Sequence, residues 1–274
     1  MNKNTILPIL GIIAGDGDLP EEVARLYHSS GGESYIASVV LDRKFDDDLP
    51  YQNFPIGSVG SILGYFKENS VENIIIIGGI NRPDLKSLKV DFGGSILLAK
   101  ILKQKMLGDD NVLRIIADHI GSKGFKVVSP KDVLKLNTGR EDFSNTTLPS
   151  KQDQVDIEIG KNVIEALGKM DVGQSVIVSD GYVVGIEAAE GTDNLIERCA
   201  KLRKNKKGGV LVKMSKSGQD MRFDIPAIGE RTVRLLAEHN FSGIAIEKCG
   251  VIVIKSQKVQ KIVEDKGMFF YSIF

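Results

Sequence analysis

The chain has no tryptophan, only three histidines and two cysteines, and its 36 Lys+Arg are cancelled by 36 Asp+Glu. Each shortage removes a class of protein. A nucleic-acid binder carries a basic excess to meet phosphates, so a formal charge of zero argues against one. Cysteine and histidine are too sparse, and wrongly spaced, for a zinc site or a disulfide scaffold. Cys199 and Cys249 fall in helix-like and strand-like stretches and read as small buried hydrophobes of a reducing compartment. His28, His119 and His239 each come late in a helical pattern, where a positive charge would face the last carbonyls. No apolar run reaches the roughly 18–20 residues of a membrane span. The opening MNKNTILPILGIIAG lacks a basic n-region and an A-x-A site, so it reads as a first strand and the protein is expected to be cytoplasmic.

With 42% hydrophobic and 26% charged residues, the 274-residue chain can bury a core in one large domain or two ordinary ones. Residues 9–15, 34–42, 72–80 and 125–130 are strand-like and largely apolar, and helical patterns at 19–31, 57–70, 94–107 and 109–124 separate them. Strands that are apolar throughout and alternate with helices predict a parallel sheet covered on both faces, a Rossmann-like domain over 1–140. The pattern dissolves around NTGREDFSNTTLPSKQDQ, where the domain boundary is expected.

A second α/β domain, expected over 150–274, has another rhythm. A helix at 154–170 precedes a hairpin at 175–188 around Ser179-Asp180-Gly181, then a helix at 193–204 and a strand at 208–214. A helix at 229–240, a hairpin at 244–255 around Cys249-Gly250, a helix at 257–266 and a strand at 268–273 repeat that order. The prediction is a duplicated α-β-β-α-β unit whose seam is SKSGQDMRFDIPAIGERT, residues 215–232.

Several loops carry chemistry. GDGDLPEE leaves a strand and opens a helix, so Gly15, Gly17 and Asp18 can approach a ligand at the helix N-terminus. It is an incomplete dinucleotide fingerprint, with Pro20 in place of a third glycine and with Asp16 and Asp18 repelling a bare phosphate. The competing reading makes Asp18 a cap and Glu21 the closing residue of a capping box. Asp42, at the end of the second strand, suits a ribose hydroxyl or simply starts a loop. IIGGINRPDL is a second loop at a strand exit, slender at Gly79 and armed with Arg82 for a phosphate. EAAEGTDN gathers Glu187, Glu190, Thr192 and Asp193 at a strand exit, more carboxylates than capping needs, which points to a metal or a polar ligand. In the seam, Lys213, Lys216 and Arg222 set cations beside Asp220 and Asp224, a mixture suited to phosphoryl chemistry or to a solvated loop of ion pairs.

GIIAGDGDLP, IGGINRPDL, DVGQSVIVSDGYVVGIEAAEGTD and LVKMSKSGQDMRFDIPAIG resemble the UDP-2,3-diacylglucosamine pyrophosphatases of the LpxI type, from about residue 9 to the C-terminus. The resemblance implies magnesium-dependent hydrolysis of UDP-2,3-diacylglucosamine to UMP and 2,3-diacylglucosamine 1-phosphate in lipid A synthesis. It implies a homodimer, two α/β domains gripping the lipid, and transient contact with the inner-membrane surface. The catalytic aspartate of the family falls on Asp224. Substrate contacts are expected at Gly15, Gly17, Asp18, Gly79, Arg82, Thr192, Lys213, Gln219 and Arg222, and Mg²⁺ ligands among Asp224, Asp220, Glu190 and Asp193. Two rival readings stand beside it, a dinucleotide-dependent oxidoreductase and a non-catalytic nucleotide or lipid sensor.

Overall fold

The computed structural model describes residues 7–80, 88–103, 109–134, 147–168, 170, 172–216, 225–248 and 250–274. Two compact units divide the chain, one within 7–134 and one within 147–274.

The N-terminal unit is built as its apolar strands require. β1 (Leu10–Ala14), α1 (Leu19–Ser29), β2 (Ser34–Ser38), β3 (Tyr51–Asn53), α2 (Val59–Glu68), β4 (Asn73–Ile77), α3 (Phe92–Leu102), α4 (Asp109–Gly121), β5 (Lys126–Val127) and α5 (Pro130–Leu134) succeed one another. The five strands form a parallel sheet in the order β3-β2-β1-β4-β5. Leu10, Ile12, Ile36, Ile74 and Ile75 are fully buried, which is why the strands read as unbroken apolar runs and not as an alternation. β3 and α5 had no signal of their own, being three and five residues long. β1 and β4 are neighbours from which the chain winds in opposite directions, so the loops after them open at the switch point where such sheets bind ligands.

His119 corrects the expectation of a charged helix end. It lies on the inner side of α4, 1% exposed, and both ring nitrogens lack a hydrogen-bond partner. Burial, with Lys100 and Lys123 nearby, pushes its pKa below the ordinary value, so the ring is held neutral. His28, in the last turn of α1, accepts the Ser34 backbone N–H on Nε2 at 3.2 Å.

The C-terminal unit runs α6 (Lys151–Gly168), β6 (Ser175–Ser179), β7 (Tyr182–Ile186), α7 (Thr192–Leu202), β8 (Val210–Lys213), β9 (Ala227–Ile228), α8 (Glu230–Glu238), β10 (Gly243–Glu247), β11 (Ile252–Val253), α9 (Ser256–Asp265) and β12 (Phe269–Ile273). Its mixed sheet has the order β12-β10-β8-β6-β7, with β8, β10 and β12 parallel and β6 antiparallel to both neighbours. The β6–β7 hairpin forms as expected, on Asp180 (φ 55°) and Gly181 (φ 81°). Buried Asp156 on α6 secures it by accepting the Asp180 and Gly181 N–H groups at 3.1 and 2.8 Å.

The hairpin expected at 244–255 does not form. β10 joins the main sheet, whereas β11 pairs in parallel with β9 in a separate two-stranded sheet. The element order α-β-β-α-β occurs twice, but only the first copy pairs its two strands with each other. Cys199 is buried, and burial pushes its thiol pKa up, as suits an inert core residue; Cys249 lies outside the described residues. No helix among the described residues is long and apolar enough to cross a membrane.

Candidate active site

At the switch point of the N-terminal sheet, the loops after β1 and β4 are zipped together. Asp16 N donates to Gly79 O at 2.7 Å, Gly79 N donates to Asp16 O at 2.9 Å, and Gly15 N donates to Ile77 O at 2.8 Å. This pairing needs glycine. A Cβ on Gly15 would stand 2.5 Å from Gly79 O, and one on Gly78, at φ 96°, would stand 2.8 Å from Asp16 O. Gly17 and Gly79 have nothing within 4 Å of an added Cβ, so theirs are the stretches of backbone open to a ligand.

The capping box does not form. Asp18 is the N-cap position of α1 but makes no side-chain capping hydrogen bond, and Glu21 instead accepts from Arg25 Nη2 at 3.2 Å. Asp42 does not end β2, which stops at Ser38; it is an exposed turn residue at φ 62°.

Arg43 is the contribution that sequence reading missed. Its guanidinium donates to Gly15 O through Nη1 and to Gly17 O at 2.6 Å through Nη2, and it stacks 4.4 Å from the Phe45 ring centre. Burial pulls its pKa below the ordinary arginine value, against Asp16, Glu21 and Asp18, which pull it up. The cation therefore sits among the acidic side chains that were expected to repel phosphate. A signal existed in the sequence, since Arg43 adjoins Asp42 in a loop beyond a strand exit.

In the C-terminal unit, sheet order assembles a buried polar cluster from three strand ends. Antiparallel pairing sets Ser175, the first residue of β6, opposite Lys213, the last of β8. Lys213 is 4% exposed, and its Nζ donates to Thr192 Oγ1 at 2.8 Å and to Ser175 Oγ at 3.0 Å. Glu187, also buried, pairs with Lys213 Nζ at 3.7 Å and accepts the Thr192 hydroxyl at 2.8 Å and the Gln174 N–H at 3.3 Å. A buried ammonium needs such company, because an unpaired one would cost several kcal/mol, on the order of 3–5. Thr192 and Lys213, both expected at the substrate, are thus brought together two residues before the charged tract begins.

Glu190 and Asp193 go elsewhere. Arg198 donates to Glu190 at 2.5 Å and holds that carboxyl below the usual range. Asp193 pairs with Arg231 Nε at 3.0 Å and accepts the Thr232 hydroxyl at 2.9 Å. Each carboxylate is neutralised by an arginine, and no group of three or more metal-ligating side chains occurs among the described residues. Arg82, Gln219, Asp220, Arg222 and Asp224 lie outside the described residues.

Comparison with known proteins covers both units. A family model described as the LpxI N-terminal domain matches residues 9–136, and one described as the LpxI C-terminal domain matches residues 141–271. The UDP-2,3-diacylglucosamine pyrophosphatase LpxI of Caulobacter vibrioides is 29% identical over 274 residues, spanning 96% of this chain and 97% of that protein. Among solved structures, CobK precorrin-6A reductase covers 97% of this chain and 88% of its own at 10% identity, with a TM-score of 0.34, too low to bear on fold or activity.

Proposed function

Since the chain belongs to the LpxI family, we propose that it hydrolyses the pyrophosphate bond of UDP-2,3-diacylglucosamine, releasing UMP and 2,3-diacylglucosamine 1-phosphate for lipid A biosynthesis. The observation that carries this reading is the match to a pyrophosphatase over 96% of the chain, through both units and not through one glycine loop alone. Two local features support it. The open backbone at Gly17 and Gly79, with Arg43 beside it, suits the phosphates of a nucleotide, and the Lys213 cluster fixes the strand from which the tract to Asp224 departs.

Asp224 is the proposed catalytic carboxylate, ionised so that it can orient the attacking water or hold the metal. Mg²⁺, when bound, would supply a counter-charge for the pyrophosphate oxygens. With Glu190 and Asp193 committed to arginines, its ligands are proposed to be Asp224 and Asp220. The acyl chains of the substrate bring the protein to the inner-membrane surface from the cytoplasmic side.

The test is incubation with UDP-2,3-diacylglucosamine and Mg²⁺, with UMP followed by mass spectrometry. Wild type is expected to release UMP, and chelation with EDTA to stop it until Mg²⁺ is restored. Asp224→Asn should melt like wild type while turnover falls by about 10²–10⁴-fold, the range for losing a positioned acid–base group. Near-normal turnover in Asp224→Asn removes that residue from the mechanism. No UMP from wild type, together with tight binding of a reduced nicotinamide, would revive the oxidoreductase reading, which family membership does not favour.

A further inference from the structure

The tract that carries Asp224 begins after β8, in the main sheet, and ends at β9, in the two-stranded sheet, and both of its described ends are held by one short segment. At the first end, Met214 N donates to Gln174 O at 3.0 Å, on the β6 side. Successive N–H groups of a strand point to opposite neighbours, so Ser215 N faces the β10 side. The β8–β10 ladder ends at Lys213↔Ile246, and the next main-chain oxygen of β10, Glu247 O, is taken by the N–H groups of Gly250 and Val251 at 3.0 and 3.3 Å. The carboxylate of Glu247 serves as the acceptor. Its Oε2 accepts the Ser215 backbone N–H at 2.8 Å and also the Ser215 hydroxyl.

Residue 250, a glycine, leaves room for the Glu247 carboxylate to lie against Ser215. A Cβ on Gly250 would stand 1.9 Å from Glu247 Oε2, so its absence leaves the space into which the carboxylate folds. The chain turns there, with Gly250 N donating to Glu247 O at 3.0 Å, and goes on into β11. β11 then grips the other end of the tract. Ile252 N donates to Pro226 O and Ile254 N to Ile228 O, each at 2.8 Å. Pro226 lies two residues after Asp224. A sheet of two strands, each two residues long, is weak by itself, so the side-chain anchor at Ser215 adds to the hold on the tract's ends.

We propose that Glu247 is a positioning residue: with Gly250 and β11 it clamps both ends of the tract, fixing the chain on either side of Asp224 for hydrolysis. This rests on the catalytic assignment of Asp224 above. It also gives residues 247–254 a reason not to pair as a hairpin, since their partners are the two ends of the tract.

Full-length Glu247→Ala, Glu247→Gln and Gly250→Ala, assayed with Mg²⁺ and UDP-2,3-diacylglucosamine, test it through kcat and KM separately, melting temperature, and amide hydrogen exchange at Ser215. Loss of a charge-assisted anchor should lower kcat by about 10²-fold in Glu247→Ala, as expected when a reacting group is misplaced by about 1 Å, with KM changed much less. Ser215 should exchange faster while the amides of β8 and β10 stay protected. Glu247→Gln keeps an acceptor oxygen and should recover most of the rate. Gly250→Ala should behave like Glu247→Ala although the carboxylate is intact, and it carries the comparison should Glu247→Ala melt early. Wild-type kcat in both alanine variants overturns the proposal. So does a general loss of melting temperature and activity without selective exchange at Ser215. If wild type itself releases no UMP, the functional reading fails, and Ser215 exchange still decides the clamp.

Discussion

His119 is the residue whose environment departs furthest from what its sequence position suggested. Late in a helix, a histidine gains from being charged, but on the buried side of α4 it loses far more in hydration, and Lys100 and Lys123 add to the loss. Its folded pKa is depressed, so in acid the unfolded chain binds a proton that the folded chain resists. The contribution to stability is therefore complete above the unfolded pKa, near 6.5, and is lost as pH falls through that value toward the folded one. Urea midpoints should drop between pH 7.5 and 5.5 in wild type. His119→Leu should remove part of that drop, and an unchanged slope in the variant would show that other groups cause it. Lys213 is the opposite case. Its buried Nζ is surrounded by Glu187, Thr192 and Ser175, none of them its neighbour in sequence.

Among the elements, the loops after β1 and β4 depend most on one residue type. Gly78 combines a left-handed φ of 96° with a backbone oxygen 2.8 Å from where a Cβ would go, whereas Gly17, at φ 91°, has open space around it. Gly78→Ala therefore meets both conformational strain and a backbone clash, and Gly17→Ala meets only the first. Strain of this kind costs on the order of 1–3 kcal/mol. Thermal melts should rank wild type above Gly17→Ala and Gly17→Ala above Gly78→Ala, the last lower than wild type by roughly 5–10 °C. Equal melting points for the two variants would mean that the Asp16–Gly79 pairing contributes nothing. A second junction works through charge. Asp91 accepts the N–H groups of Gly94 at 2.7 Å, Ser61 at 2.9 Å and Gly60 at 3.1 Å, so one carboxylate caps α3 and also holds the first turn of α2. Burial pushes its pKa up, but those backbone N–H groups outweigh it and hold it below the usual range.

For the molecule as a whole, charge balance is the controlling quantity. Formal net charge is zero and the sequence pI is about 6.8. Self-repulsion is then at its weakest near neutrality, so light scattering at high concentration should be greatest near pH 6.8 and fall at pH 8.5. The same balance predicts no retention of duplex DNA in a mobility shift at physiological salt, and a band shift there would expose a basic face that the totals hide.

The sequence by itself determined what depends on near neighbours. Unbroken apolar runs specified a parallel sheet buried on both faces, Asp180-Gly181 specified a hairpin turn, and the glycines after β1 and β4 marked the strand exits at the switch point, where sheets of this kind bind ligands. Partner choice was decided only in three dimensions. Cys249-Gly250 between two β-branched runs looks locally like a hairpin, yet the hydrogen bonds of β11 go to the chain just after the charged tract, and the room at Gly250 serves a carboxylate. Glu187 and Thr192 share one strand-exit motif, but nothing in sequence ties Lys213 to them; the order β8-β6-β7 does so by setting three strand ends side by side. The physical reason is common to both cases. Turn and strand propensities act over a few residues, whereas which strand pairs with which is a competition among distant segments, decided by the burial and hydrogen bonding of the complete fold.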